Sequence, residues 1–324
     1  MPELFEAYDD LDDLAERLQV ADAGARRVAV IELGNSGDPQ AVSYLAPLVS
    51  DRDAGVRQQV ALALGEFDGP AAAEVLAALL VDADEAVASA AADSMAELKD
   101  PASADALLPL LDSPSAFVRA STLRAIKELR RRDALKPALD ALRDVEPAVR
   151  IQAIGVVGFL KIEETVPALT AATGDPDAQV RRAAVGSLAF SNLKSAADSV
   201  MRALNDHDWL VRETAAETLG IMKNGLQAAA ALLTVLSDEF WQVRLKAVRS
   251  LGKLKVREAV GGIAANLTHE QANLRKEAAA ALGEVADPAA APYLERVQND
   301  PDPEVRKNAR WAIQQILLKN PNYG

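Results

Sequence analysis

Two histidines, His207 and His269, are the only imidazoles in the chain, and cysteine is absent. The dipeptide His269-Glu270 offers one nitrogen and one carboxylate to a metal, but a di-iron centre needs several more ligands than that. Without cysteine, zinc–thiolate sites, disulfide frameworks and cysteine nucleophiles are excluded. No glycine-rich phosphate loop, nucleophile elbow or paired-carboxylate constellation stands out. What remains is recognition chemistry. The three tryptophans are Trp209, Trp241 and Trp311, and Phe240 sits beside Trp241. Large amphipathic rings of this kind anchor interfaces. The segment ELRRRDALK, 128–136, carries three consecutive arginines. It reads as a solvated turn, with contact to an anion or an acidic partner as the alternative.

The elements that must carry these residues repeat along the chain. Arginine recurs at 26, 57, 119, 150, 181, 212, 244, 275 and 306, with Ala88 in the one missing slot. The step is 31 residues, and 32 between Arg212 and Arg244, where the extra residue falls near Gly225. Internal repetition at such a period is the signature of a stacked array. Around each arginine an apolar or small residue stands one before and three, four and seven after, as in Val211, Ala215, Ala216 and Leu219. That spacing makes one stripe of an α-helix. Glycine follows at 34, 65, 158, 220, 252 and 283, near the expected helix ends. A second helix pattern then opens at signals such as GDPQ (37–40), KDPA (99–102) and ADPA (286–289), where proline suits a first turn. One such pair cannot bury its apolar faces alone, and stacked pairs can. The expected fold is all-α: an α-solenoid of about ten 31-residue helix pairs. It is expected to span 1–317 as a single domain, with a capping repeat at 1–37, a capping helix at 301–317 and a tail at 318–324. Gly261-Gly262 falls inside a first helix and marks local looseness or a close helix contact.

Six residues before the arginine stands an aspartate at 51, 82, 144, 175, 206, 238 and 300. Placed against the arginine of the next copy, it would form a ladder of charge-assisted hydrogen bonds. The expected ladder runs through Asp51, Arg57, Asp144, Arg150, Asp175, Arg181, Asp206, Arg212, Asp238, Arg244, Arg275, Asp300 and Arg306. His269 occupies this slot ahead of Arg275, so it reads as a structural replacement of an aspartate, and His207 reads as a surface residue.

The asymmetry of charge bears on partners. Of the formal −13, residues 1–100 carry 21 acidic and 6 basic side chains. Such a field repels nucleic acid and suits solubility or a basic partner. The start of the chain, MPELFEAYDDLDDLAERLQ, is acidic and amphipathic, unlike a secretory signal. No apolar run reaches the roughly 18 residues of a membrane span. The expected location is the cytoplasm, with no membrane partner.

The Asp–Arg spacing, the DxxxxVRxxA…LG wording and the period resemble the HEAT-repeat family over roughly 20–317. Within that family they are similar to the short repeats of phycobilisome-lyase-like proteins. The resemblance implies that second helices line a concave face, free to vary as a binding surface. Its expected members are Trp209, Leu210, Glu213, Glu217, Trp241, Gln242, Leu245, Lys246, Arg249 and Trp311, extended by Phe117 and Ile151. It also implies a role as a protein-binding scaffold in phycobilisome or phycobiliprotein metabolism, as a monomer or paired with a second solenoid. The alternatives it implies are a bilin lyase-like chromophore handler and a companion of an iron–sulfur scaffold protein. For a bilin, the only cofactor in view, Trp209 and Trp241 would stack on the tetrapyrrole while Lys246 and Arg249 meet its propionates. No catalytic residue carries over. In the related di-iron pattern of deoxyhypusine hydroxylase-like proteins, the second His-Glu position reads Lys276-Glu277 here, which is not a ligand pair.

Overall fold

The computed structural model describes residues 11–223 and 225–320. The first ten residues of the expected N-terminal cap and residues 321–324 of the expected tail lie outside this range. The described residues form α-helices and short 3-10 turns with no strand. They divide into two compact units, 1–160 and 161–324.

In residues 1–160 the second helices are Ala23–Asn35, Ala54–Leu64, Glu85–Met95, Ala116–Leu129 and Pro147–Leu160. In residues 161–324 they are Ala178–Ser187, Trp209–Leu219, Trp241–Lys253, Ala272–Val285 and Pro303–Lys319. Within each unit successive second helices pack side by side, and each packs on the first helix of its own copy. Each unit is therefore an all-α solenoid. The stripe around each arginine is its core: Val211, Ala215, Ala216 and Leu219 are fully buried, as are Val56, Val60, Ala61 and Leu64. Alanine at two of these four positions keeps neighbouring helices close, because there is little side chain to hold them apart.

Several first helices are short and slide into 3-10 turns. Ala41–Leu45 continues as Ala46–Ser50, and Ala104–Leu107 as Leu108–Asp112. Pro47 and Pro109 explain the change, since each removes an N–H from the α ladder and crowds the preceding turn. Seven of the second helices start sharply because an aspartate or serine four residues before the rung position caps them, whereas Glu146, Phe240 and Gln271 hold that position in the other three. Asp53 accepts from Val56 N at 3.0 Å, and Asp208 from Leu210 N at 2.8 Å.

The recurrent glycines do not serve as left-handed helix stops. Gly34, Gly252 and Gly283 lie inside their helices, and Gly65 and Gly220 close theirs in right-handed geometry. They sit where one second helix meets the next: a Cβ on Gly252 would lie 2.8 Å from the Cα of Ala281. The left-handed non-glycine residues come later, at Arg130, Lys161, Lys255 and Ala286, eleven after the rung position.

The two adjacent glycines separate in role. A Cβ on Gly262 would meet Leu236 Cδ1 at 2.6 Å, a close helix contact, while Gly261 faces open space. Gly261→Ala is therefore expected to stabilise the protein by about 0.5–1 kcal/mol through loss of unfolded-state freedom. A raised urea midpoint tests this, and a lowered one would show that the glycine is needed.

Candidate functional site

Two features bear on function: a ladder of ion pairs between copies, and the outward side of the second helices. The ladder follows from helix geometry. The arginine lies in the first turn of each second helix, so its side chain reaches back over the entry turn and sideways to the next copy.

In residues 1–160, Arg26 meets Asp51, Arg57 meets Asp82 and Arg119 meets Asp144 through paired hydrogen bonds of 2.6–2.8 Å. In residues 161–324, Arg181 meets Asp206, Arg212 meets Asp238 and Arg275 meets Asp300, at 2.7–3.1 Å. The carboxylate thus engages the arginine of the copy before it, 25 or 26 residues back, and not that of the next. Its Oδ1 also accepts the N–H two residues on, as Asp51 does from Asp53 at 2.9 Å. The third arm of each guanidinium closes the entry turn: Arg57 Nη1 donates to Asp51 O at 2.8 Å, and Arg306 Nη1 to Asp300 O at 2.7 Å. Arg150 makes the same turn contact, to Asp144 O at 2.7 Å, and Asp175 Oδ1 accepts from Asp177 N at 2.9 Å.

Bidentate arginine bonds hold the Asp51, Asp82, Asp144 and Asp300 carboxyls below their usual range. For Asp206 burial pushes upward, and the bonds from Arg181 and Asp208 N outweigh it. A carboxyl with a lowered folded-state pKa stabilises the fold above its unfolded value of about 3.9 and ceases to do so as pH falls through the folded value. Stability is therefore expected to hold from neutral pH to about 5 and to fall below about 4. Asp300→Asn should flatten that fall in a series of melting curves, and an unchanged slope would refute the assignment.

The copy with His269 breaks the ladder on one side. His269 Nδ1 accepts from Gln271 N at 3.1 Å, taking over the turn bond of the missing carboxylate. Arg244 instead donates its Nε to Asp238 O. His269→Asp is expected to give Arg244 a carboxylate and to add on the order of 1 kcal/mol, discounted for its half-exposed setting. His269→Asn supplies the turn acceptor without the charge and should gain less; equal gains would show that the ion pair is not the cause.

On the outward side of residues 161–324, the residues singled out by sequence fall on neighbouring helices. Trp209, Glu213 and Glu217 are spaced four apart on one, and Trp241, Leu245 and Arg249 on the next, so each set follows one helix side. Glu217 is exposed, and Leu210, Glu213, Trp241, Gln242, Leu245, Lys246 and Arg249 are half-buried. Two ion pairs tie the helices together: Lys246 to Glu217 at 2.8 Å, and Arg249 to both oxygens of Glu277 at 2.9 and 2.7 Å. The Glu277 bond raises the affinity of Arg249 for its proton. Both cations considered for a propionate thus already have carboxylate partners.

The tryptophans have separate settings. Trp209 stacks on Phe240 with centroids 5.2 Å apart and planes 8° from parallel, and Arg212 lies 5.6 Å from the same Phe240 ring. Phe240 thus contacts both Trp209 and the arginine of the Arg212–Asp238 rung. Trp241 begins its helix half-exposed. Trp311, 39% exposed, lies against Gly283, where a Cβ would come within 2.4 Å of its ring. Ile151 is half-buried and Phe117 exposed, both in residues 1–160. Of the arginine run, Arg131 bonds Asp105 at 2.7 Å and pairs with Asp133, while Arg130 lies 5.2 Å from the Phe159 ring. Among the described residues no cluster of three or more histidine, aspartate or glutamate side chains is placed to hold a metal, and no helix is long and apolar enough to cross a membrane.

Sequence reading overlooked two contributors. The cap aspartates, four before the arginine, were available from the preference for Asp at helix starts. Glu277, partner of Arg249, carries no such signal, since the contact depends on the lateral spacing of two helices.

The comparisons agree with this architecture. The HEAT-repeat signature matches residues 11–96, 104–189, 166–236 and 229–314, and the PBS lyase HEAT-like repeat matches 87–113. No curated protein matches the chain. Among solved structures, an engineered protein is 21% identical with a TM-score of 0.52, over 95% of this chain and 99% of that one. Kap95p in a complex with RanGDP is 15% identical with a TM-score of 0.65, and Kap95 in a complex with Nup1 is 16% identical with a TM-score of 0.60. These cover 95% and 96% of this chain, which spans about half the length of either Kap95 chain. At such identities the likeness is one of fold, and the repeat signature itself covers most of the sequence: the chain belongs to the HEAT-repeat family.

Proposed function

We propose that the protein is an adaptor without chemistry of its own, which holds a protein partner on the second-helix face of residues 161–324. The observation that carries this reading is the wall around Trp241 and Leu245, whose charged neighbours are fixed by the Lys246–Glu217 and Arg249–Glu277 pairs. Side chains ordered before binding lose little freedom on association, and a half-exposed indole beside aliphatic and arginine side chains has the composition of an interface centre. The Kap95 structures support the reading by analogy, since those HEAT proteins are seen in complexes.

The partner we propose is a phycobiliprotein, met in a cyanobacterial cytoplasm; the PBS lyase HEAT-like match at 87–113 supports this finer reading. Mixing the purified chain with phycobiliproteins and following co-elution tests it. Trp241→Ala/Leu245→Ser should abolish co-elution while the variant, its melting midpoint somewhat lowered by the lost packing, still melts cooperatively as a helical protein. Co-elution that survives the double variant would overturn the proposed face, and none with the intact chain would overturn the partner.

The same match favours bilin handling as a second reading. A bilin spectrum that shifts with the intact chain and not with Trp209→Ala/Trp241→Ala would support it, and an unshifted spectrum would remove it.

A further inference from the structure

The rung between the third and fourth copies of residues 1–160 lacks both its members. Ala88 stands where the other copies have arginine, and Ser113, 25 residues on, stands where they have the paired aspartate. Loss of one partner would leave a charge without its counterion in a partly buried place; loss of both leaves none. What is left is room. A cleft of about 730 Å³ opens there, lined by Asp82, Glu85, Ala88, Ser113 and Phe117.

Its chemistry is that of the six rungs described above with the guanidinium removed and serine in place of the aspartate. In each of them the arginine Nη1 donates to the carbonyl six residues back. The corresponding carbonyl is that of Asp82, which lines the cleft. The Ser113 hydroxyl accepts from Ser115 N at 3.3 Å, as the ladder carboxylates accept from the residue two on, and retains a further acceptor site. Glu85, exposed at the mouth, offers a carboxylate without a rung arginine beside it. The side walls are Val81 and Phe117, 55% and 47% exposed. Methylenes suit the first and the flat face of a guanidinium suits the second.

We propose that this cleft receives an arginine side chain from a basic segment of a partner protein, which completes the missing rung from outside. Charge complementarity favours that occupant, because residues 1–100 carry 21 acidic against 6 basic side chains and draw cationic chains toward the site. The proposal concerns residues 1–160 and does not rest on the face proposed for residues 161–324.

The probe is the blocked peptide acetyl-Ala-Arg-Ala-amide, titrated into the full-length, nitrogen-15-labelled protein and followed by amide shifts. Saturable shifts are expected at residues 85–89 and 113–118. The citrulline counterpart, which keeps the shape without the charge, should bind at least tenfold more weakly. Ala88→Arg/Ser113→Asp rebuilds the rung internally and should abolish the shifts while raising the melting midpoint, so loss of binding is not loss of fold. Glu85→Gln should weaken binding about threefold. Absence of shifts at these residues, equal binding of the citrulline peptide, or persistence of binding in the rebuilt-rung variant would overturn the proposal. Free arginine binding as tightly as the peptide would overturn it too, pointing to a small-molecule site.

Discussion

Replacing Arg212 by alanine is expected to cost about 3 kcal/mol, the loss seen when one member of a buried ion pair is removed. The figure follows from what the side chain holds. Its Nε and Nη2 engage Asp238 at 2.7 and 3.1 Å, and its Nη1 closes the entry turn through Asp206 O and His207 O at 2.9 and 3.2 Å. Its guanidinium also faces the Phe240 ring. The side chains of Arg212 and Asp238 are only 10% and 8% exposed, so water cannot easily replace what is lost. After truncation the Asp238 carboxylate keeps the N–H of Phe240 and loses its paired guanidinium. Arg212→Met/Asp238→Leu removes both charges and should cost less than the single change, because no ion is left without its partner. Arg306→Ala gives the scale at the other end: that side chain makes carbonyl bonds to Asp300 and Pro301, so its loss should cost about 1 kcal/mol. Urea unfolding read by indole fluorescence is the measurement, since Trp209 stacks on Phe240, the ring that Arg212 faces. Equal losses for Arg212→Ala and Arg306→Ala would refute the view that the carboxylate bridge between copies carries the stability.

The rung also shows what a sequence can and cannot disclose here. The recurrence of Val211, Ala215, Ala216 and Leu219 at a helical period announces a buried stripe, because burial acts on every copy alike and leaves the same mark in each. The aspartate six before the arginine is legible for the same reason. Which arginine it meets is not: Asp51 is six residues from Arg57 and 25 from Arg26, and only the lateral packing of copies decides for Arg26. The outward face is less legible still. Trp209 and Trp241 hold the same slot in adjacent copies, yet the ring that stacks on Trp209 is Phe240, one residue earlier than the repeat suggests. Lys246 and Arg249 look like free cations in the sequence and have carboxylate partners in the fold. Positions set by burial are periodic, whereas positions set by a neighbour's side chain are not, and the candidate surface consists of the second kind.

Gly220→Val should destabilise residues 161–324 by about 3 kcal/mol or more, the upper part of the range for forcing extra volume into a packed contact. The reason is steric and lies between two helices. A Cβ on Gly220 would stand 2.2 Å from Ser250 Oγ, 2.6 Å from its Cβ and 2.9 Å from its Cα. The hydroxyl cannot simply rotate away at no cost, for it is buried and donates to Ala216 O at 2.7 Å. Nor does truncating the serine make enough room, because its backbone Cα is itself too near. The equivalent glycine of an earlier copy provides the contrast. A Cβ on Gly65 would meet Ser94 Oγ at 3.0 Å and its Cβ at 3.4 Å, so across to the next helix it touches a side chain alone; the remaining contact, 3.2 Å to Leu62 O, lies within its own helix. Gly65→Ala should therefore be tolerated within about 1 kcal/mol, and Gly65→Ala/Ser94→Ala should recover most of that, with Ser94 only partly relieved in the single variant. Gly220→Ala/Ser250→Ala should recover little, since the backbone contact persists. Thermal melting of these four variants separates the two cases: rescue at both sites would mean that the copies are held apart by side chains, and rescue at Gly65 alone would mean that the Trp209–Leu219 and Trp241–Lys253 helices touch backbone to backbone, which is what fixes the spacing of the Glu217–Lys246 pair above them.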